Sequence, residues 1–153
     1  MTLDQWEQNH WLKQSASTPA EIVQLFAVVD REISDASIFK LSVDGRFMHA
    51  YDAALNLCAI ALRASGFVAV KGQGHHKRTI GSLVFTFGTA YQQVADQIEL
   101  ASRRRGQAMY DRVGVVEEVD ANELLQTAME LRAAVIDWLR ANWITTAFSA
   151  RLC

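Results

Sequence analysis

The stretch that decides the fold lies at positions 46–67 and reads RFMHAYDAALNLCAIALRASGF. Apolar and aromatic residues recur in it every three or four positions, which is the repeat of one face of an α-helix. The members of this stripe are Phe47, Tyr51, Ala54, Cys58 and Leu62, widened by Ala50, Ala53, Leu57 and Ala61. A helix that is apolar over so much of its girth is typical of the centre of a bundle. Gly66 is placed to end it.

Helical patterns flank this central helix on both sides. Thr18, Pro19 and Glu21 predict a helix start, because threonine and glutamate form a capping box and proline suits the first helical position. A first short helical face is predicted over 3–14.

Beyond the central helix, a pattern over 77–101 predicts another helix, which Gly88 kinks or divides. Asp120 and Glu123 repeat the capping pattern and predict a last helix that ends near Asn142. No stretch carries a convincing strand pattern. We therefore expect an all-α, up-and-down bundle of five to six helices, forming a single domain over 1–153.

The composition limits the class of protein. The chain has 153 residues, one proline and 50% hydrophobic residues, which excludes general disorder and suits uninterrupted helices. No apolar run approaches the length of a membrane span, and the start of the chain does not resemble a signal peptide, so we expect a cytoplasmic protein. Cys58 and Cys153 have neither the spacing of a disulfide framework nor that of a zinc site. We expect no metal and no cofactor.

The charge is unevenly distributed. Positions 1–70 hold five basic and eight acidic residues, 71–112 hold seven and three, and 113–153 hold three and six. The central excess forms two clusters, namely Lys71, Lys77 and Arg78 beside His75 and His76, and Arg103, Arg104 and Arg105 with Arg112. Such clusters bind phosphates or simply remain solvated at helix ends. They lie at opposite ends of a helix unless the chain reverses at Gly88.

Three segments together resemble the HEPN superfamily, the small helical bundles named for higher-eukaryote and prokaryote nucleotide-binding proteins. They are the central helix quoted above, the following loop KGQGHHKRTIGSL, and ASRRRGQAMYDR with its acidic linker and final helix. The resemblance spans about Arg46 to Asn142, within a HEPN-like core of about 43–144. It implies a helical bundle that forms a homodimer and binds RNA or a nucleotide-linked partner, within a toxin–antitoxin or nucleotidyltransferase-associated system.

The resemblance also implies site residues. HEPN ribonucleases carry an arginine and, a few residues later, a histidine; here Arg105 matches the arginine, and Tyr110 stands where the histidine is expected. Histidine exchanges protons near neutral pH, whereas tyrosine, with a pKa near 10, does not. Asp52 is placed to orient an arginine if it faces inward, and His75 and His76 are alternative bases. The RNA-binding residues implied are Lys71, His75, His76, Lys77, Arg78, Arg103, Arg104 and Arg112.

Two alternatives stay open beside RNA binding. One is a metal-independent ribonuclease that uses Arg105 with Tyr110, and the other is a non-catalytic dimerisation or protein-interaction module. Whether the protein is an enzyme is left open.

Overall fold

The computed structural model describes residues 1–110 and 112–142, which form a helical bundle with one small sheet. The elements in chain order are α1 (Leu3–Gln8), β1 (Leu12–Gln14), α2 (Pro19–Ala36), α3 (Val43–Ala64), β2 (Phe67–Ala69), α4 (His75–Gly81), α5 (Leu83–Phe87), a 3-10 turn (Thr89–Tyr91), α6 (Gln92–Tyr110) and α7 (Glu118–Asn142). The prediction of an all-α bundle is confirmed. No helix in the described residues has the length and apolarity needed to cross a membrane.

Helix α3 is the centre of the bundle, as its apolar stripe predicts. It packs against α2, α6 and α7, and its residues Ala53, Ala54, Leu57 and Cys58 have no exposed surface. The buried alanines let neighbouring helices approach closely, which makes this core intolerant of larger side chains. Burial also raises the pKa of the Cys58 thiol to about 12, as expected of an inert core cysteine. Cys153 lies outside the described residues.

The start of the chain departs from the prediction. The first helix ends at Gln8, His10 has a φ of 62°, and residues Leu12–Gln14 form a strand. This strand pairs antiparallel with Phe67–Ala69, with Leu12 opposite Ala69. The expectation of no strand was therefore wrong. Three-residue strands are too short to show a repeat, and their pairing depends on the approach of two distant segments.

The capping predictions are confirmed at one helix and shifted at another. Thr18 Oγ1 accepts from the backbone N–H of Glu21, and the Glu21 carboxylate accepts from the backbone N–H of Thr18. Helix α7 begins at Glu118 rather than after Asp120. The Asp120 carboxylate instead accepts from the backbone N–H of Glu117 at 2.8 Å, so it caps the helix from within the first turn.

Gly88 divides the predicted helix and reverses the chain. Its φ of 93° favours glycine, and it separates α5 from the turn that leads into α6. Helix α6 returns alongside α4, with Lys77 Nζ 3.7 Å from Glu99 Oε1. The two basic clusters are consequently brought to neighbouring helices.

Candidate nucleic-acid interface

The central helix has a polar face beside its buried stripe. His49, Asp52, Asn56 and Arg63 follow helical spacing, and all four are partly exposed. We call these four residues the α3 polar face. It is bordered by α2 on one side and by α4 and α6 on the other, because residues of those helices contact it.

One end of the α3 polar face is held by an acidic residue of α2. Nδ1 of His49 lies 2.6 Å from Oε2 of Glu32, which is buried, and Nη2 of Arg31 donates to Oε1 of Glu32 at 2.8 Å. Burial alone would raise the pKa of Glu32, but the hydrogen bonds from His49 and Arg31 bring the pKa below its ordinary 4.5. Glu32 is therefore a charged residue that orients the imidazole.

Glu32 and His49, together with Asp35, are also the described residues best placed to ligate a metal ion. Ligand atoms of Glu32, Asp35 and His49 lie within 4.8 Å of one another. The direct contact between His49 and Glu32 already satisfies both groups without an ion. The His49–Glu32 contact therefore accounts for this arrangement without a metal ion.

Arg105 reaches the middle of the α3 polar face from α6. Its Nε lies 3.3 Å from Oδ1 of Asp52, and its Cζ lies 5.5 Å from the centre of the Tyr51 ring. The buried Nε has no aligned hydrogen-bond acceptor among the described residues, so the contact with Asp52 is an ion pair. Burial raises the pKa of Asp52, and Arg105 opposes this shift. Asp52 faces inward, as required if it is to orient an arginine.

Tyr110 does not meet Arg105 within the described chain. Both belong to α6, but five residues correspond to about 140° around a helix. Tyr110 is 80% exposed, whereas Arg105 is turned toward α3. The tyrosine beside Arg105 is Tyr51, whose hydroxyl donates to Ser102 Oγ and whose pKa is raised by burial. A tyrosine of this kind does not exchange protons near neutral pH.

The other members of the second basic cluster are in different environments. Nη2 of Arg104 donates to the Asp120 carboxylate at 2.9 Å and to the Val115 carbonyl oxygen at 3.2 Å. Arg104 is therefore occupied in holding α6 to the start of α7. Arg103 and Arg112 are exposed.

The first basic cluster surrounds an open depression at the start of α4. Lys71, His75, His76 and Lys77, with Gly72 and Gly74, line a space of about 510 Å³. None of these lining residues is acidic. Arg78 is not among the lining residues, and its Cζ lies 5.0 Å from the centre of a Trp11 ring.

A more enclosed cavity of about 250 Å³ adjoins this depression and shares His75 and His76 with it. Its remaining lining residues come from α2, α3, β2 and α4, and they are Leu25, Leu55, Asn56, Ala59, Leu62, Arg63, Val68, Ala69 and Thr79. No carboxylate lines this cavity either. Burial, then His76, Lys71 and Arg63, lower the pKa of His75 below its ordinary 6.5, so His75 is mainly neutral at pH 7.

The two basic clusters approach each other across α4 and α6. Lys77 contacts Glu99, and Arg103 lies one helical turn after Glu99, a rise of about 6 Å. Glu99 therefore lies between the two clusters and partly neutralises Lys77. The reversal of the chain at Gly88 decides between the two arrangements left open by the sequence.

The sequence-based candidates omitted four residues that the structure brings to this region, namely Glu32, His49, Asn56 and Arg63. One signal was available for the last three. With Asp52, they occupy one side of the helical repeat whose other side is the apolar stripe. Glu32 belongs to another helix, and only the packing of α2 on α3 brings it to His49.

No family model, curated protein or solved structure matches this chain.

Proposed function

We propose that this protein binds RNA through a basic surface formed by Lys71, His75, His76, Lys77 and Arg103. The observation that carries the proposal is the open depression at the start of α4, whose lining includes two lysines and two histidines and no acidic residue. Phosphate oxygens are suitable partners for such groups, because ammonium and imidazole N–H groups donate to them. The HEPN resemblance favours the same class of ligand.

Arg105 extends this surface toward the middle of the α3 polar face. Its Nε is buried without an aligned acceptor, and its only described acidic contact, Asp52, is itself partly exposed. The other guanidinium N–H groups of Arg105 can donate hydrogen bonds to a phosphate oxygen. Arg105 is therefore proposed as a further phosphate contact, at the α3 polar face.

A salt titration tests the proposal. Binding of a fluorescein-labelled RNA should weaken steeply between low and moderate salt, because each phosphate contact releases counterions. Lys71→Ala and Arg105→Ala should each weaken binding and make the dependence of affinity on salt less steep. Lys40→Ala is the matched control, since Lys40 is exposed in the connection before α3, at the opposite end of that helix from Arg63.

Two results would overturn the proposal. One is the absence of RNA binding by the intact protein at low salt. The other is binding that all three variants leave unchanged. Loss of binding in Lys40→Ala alone would move the surface to the other end of α3 and would also contradict it.

Cleavage, dimerisation and a nucleotidyltransferase or antitoxin partner stay predictions from the resemblance. The separation of Arg105 from Tyr110 within one chain does not favour a shared catalytic site. RNA incubated with the protein and EDTA should acquire cyclic-phosphate ends if the ribonuclease alternative holds, and Arg105→Ala should abolish them. RNA that stays intact at high protein concentration would exclude the ribonuclease alternative and leave only the RNA-binding proposal.

A further inference from the structure

We infer that the 250 Å³ cavity beside the basic depression receives one unstacked base of a single-stranded RNA. This inference rests on the proposed RNA binding and narrows it to a strand whose bases are not paired. It assigns a base-binding role to Ala59, Asn56 and Arg63, none of which belongs to the basic clusters seen in the sequence.

The cavity offers an apolar wall for a base, and it adjoins the basic depression, which suits a phosphate. Leu25, Leu55 and Ala59 present an apolar wall, and most of the surface inside the cavity is apolar. Its two histidines are also walls of the open basic depression. A strand with its phosphate in the depression would therefore have a base within reach of the cavity, since the two spaces share a boundary.

The size of the cavity suits a base. An apolar cavity of roughly 150 Å³ in a protein core accepts a benzene-sized ring. The present cavity, at about 250 Å³, has room for a larger heterocycle.

Polar groups in the cavity can contact the edge of a base. Nδ2 of Asn56 donates to the carbonyl oxygen of Asp52, which leaves the Asn56 Oδ1 as an acceptor. Arg63 is partly buried and forms no ion pair with any residue that the structure describes. Its guanidinium is a donor for a base edge or for the adjoining phosphate. An uncompensated arginine beside an apolar wall favours an anionic ligand with a flat apolar part.

A duplex would not enter this cavity, because its bases are stacked and paired. Sequence-reading proteins usually engage RNA where bases are splayed out of the stack. We therefore expect the single strand to bind about tenfold more tightly than a duplex of the same length at equal salt. This difference lies within the range found for one base that stacks on a protein side chain.

The experiment compares a single-stranded RNA and its duplex on the intact protein and on Ala59→Leu. The larger side chain fills the cavity without changing charge, so it should weaken single-strand binding about tenfold and leave duplex binding unchanged. Ala133→Leu is the matched control, because Ala133 is exposed on α7. Circular dichroism confirms folding, and Ala59→Met replaces Ala59→Leu if that variant unfolds.

Competition on the unaltered protein supplies a second measurement. Nucleoside monophosphates should displace the single strand at concentrations where inorganic phosphate does not. Equal displacement by phosphate, equal affinity for single strand and duplex, or unchanged single-strand binding by a folded Ala59 variant would each overturn the inference. Each of these results would still be compatible with the proposed salt-dependent RNA binding. Failure of the unaltered protein to bind any RNA would overturn the proposed function itself.

Discussion

Nε of Arg105 lies 3.3 Å from Oδ1 of Asp52, so the last third of α6 is joined to the polar face of the central helix. The two side chains are 26% and 33% exposed, so solvent reaches both of them. The ion pair holds Arg105 against the α3 polar face in the absence of a ligand. If Arg105 contacts RNA as proposed, the ion pair also opposes binding, because Asp52 competes with the phosphate for the same guanidinium.

Asp52→Asn should therefore raise the affinity for RNA. The partly exposed pair it removes is worth about 0.2–1 kcal/mol, so the gain is about 1.4- to fivefold at low salt. The gain should diminish as salt screens the charges. Fluorescence polarisation measures both effects, with the exposed Asp137→Asn as control. Weaker binding by Asp52→Asn would show that the pair positions Arg105 rather than competing for it.

Arg103 and Arg104 are neighbours with different expected roles. Arg104→Gln should lower the free energy of unfolding by about 1–2 kcal/mol, because it weakens hydrogen bonds to Asp120 and to the Val115 carbonyl oxygen. Arg103→Gln should leave stability within about 0.5 kcal/mol and reduce the salt dependence of RNA binding by about one contact. Urea unfolding and a salt titration separate the two effects. The reverse assignment would contradict the structure.

Two alanines of α3 should respond differently to the same enlargement. Ala54 is completely buried, and Ala54→Leu should lower the free energy of unfolding by about 1–3 kcal/mol through overpacking. Ala59 lines the cavity, where added methyl groups have room, so Ala59→Leu should change stability by less than about 1 kcal/mol. Thermal and urea unfolding measure both. An equal loss in the two variants would argue against the open space beside Ala59.

The contacts of Glu32 predict how the free energy of unfolding depends on pH. Its pKa in the folded protein lies below 4.5, so its charged hydrogen bonds stabilise the fold above that pH. As the pH falls through the folded-state pKa, protonation removes this contribution. Glu32→Gln should lower the free energy of unfolding by about 1 kcal/mol at pH 7, and the difference from the unaltered protein should shrink toward pH 3.

Urea unfolding at a series of pH values measures this difference. Glu123→Gln, at an exposed position of α7, is the control. A difference that grows on acidification would contradict the role of the His49–Glu32 contact.

The central helix and the capping of α2 could be predicted because both depend on residues close together in the chain. The apolar repeat runs from Phe47 to Leu62 within the 22-residue α3, and the two residues of the Thr18–Glu21 box are only three positions apart. The small sheet could not be predicted, since Leu12–Gln14 and Phe67–Ala69 become strands only by pairing with each other.

The candidate site divides in the same way. Charge alone made Lys71, His75 and Arg103 candidates, because clusters of basic residues are visible in a linear sequence. It could not separate Arg104, which is occupied by Asp120, from Arg105, which reaches Asp52. That distinction depends on the direction of each side chain around α6, and consecutive residues of a helix point about 100° apart.

The sequence by itself determined a helical bundle with a buried α3 and an excess of positive charge between positions 71 and 112, because hydrophobic repeat and charge are local properties of the chain. Only the tertiary structure decided that the chain reverses at Gly88, that Lys77 meets Glu99, and that a cavity opens beside Ala59. These features arise from contacts between residues distant in sequence, whose partners are chosen by packing around a common core.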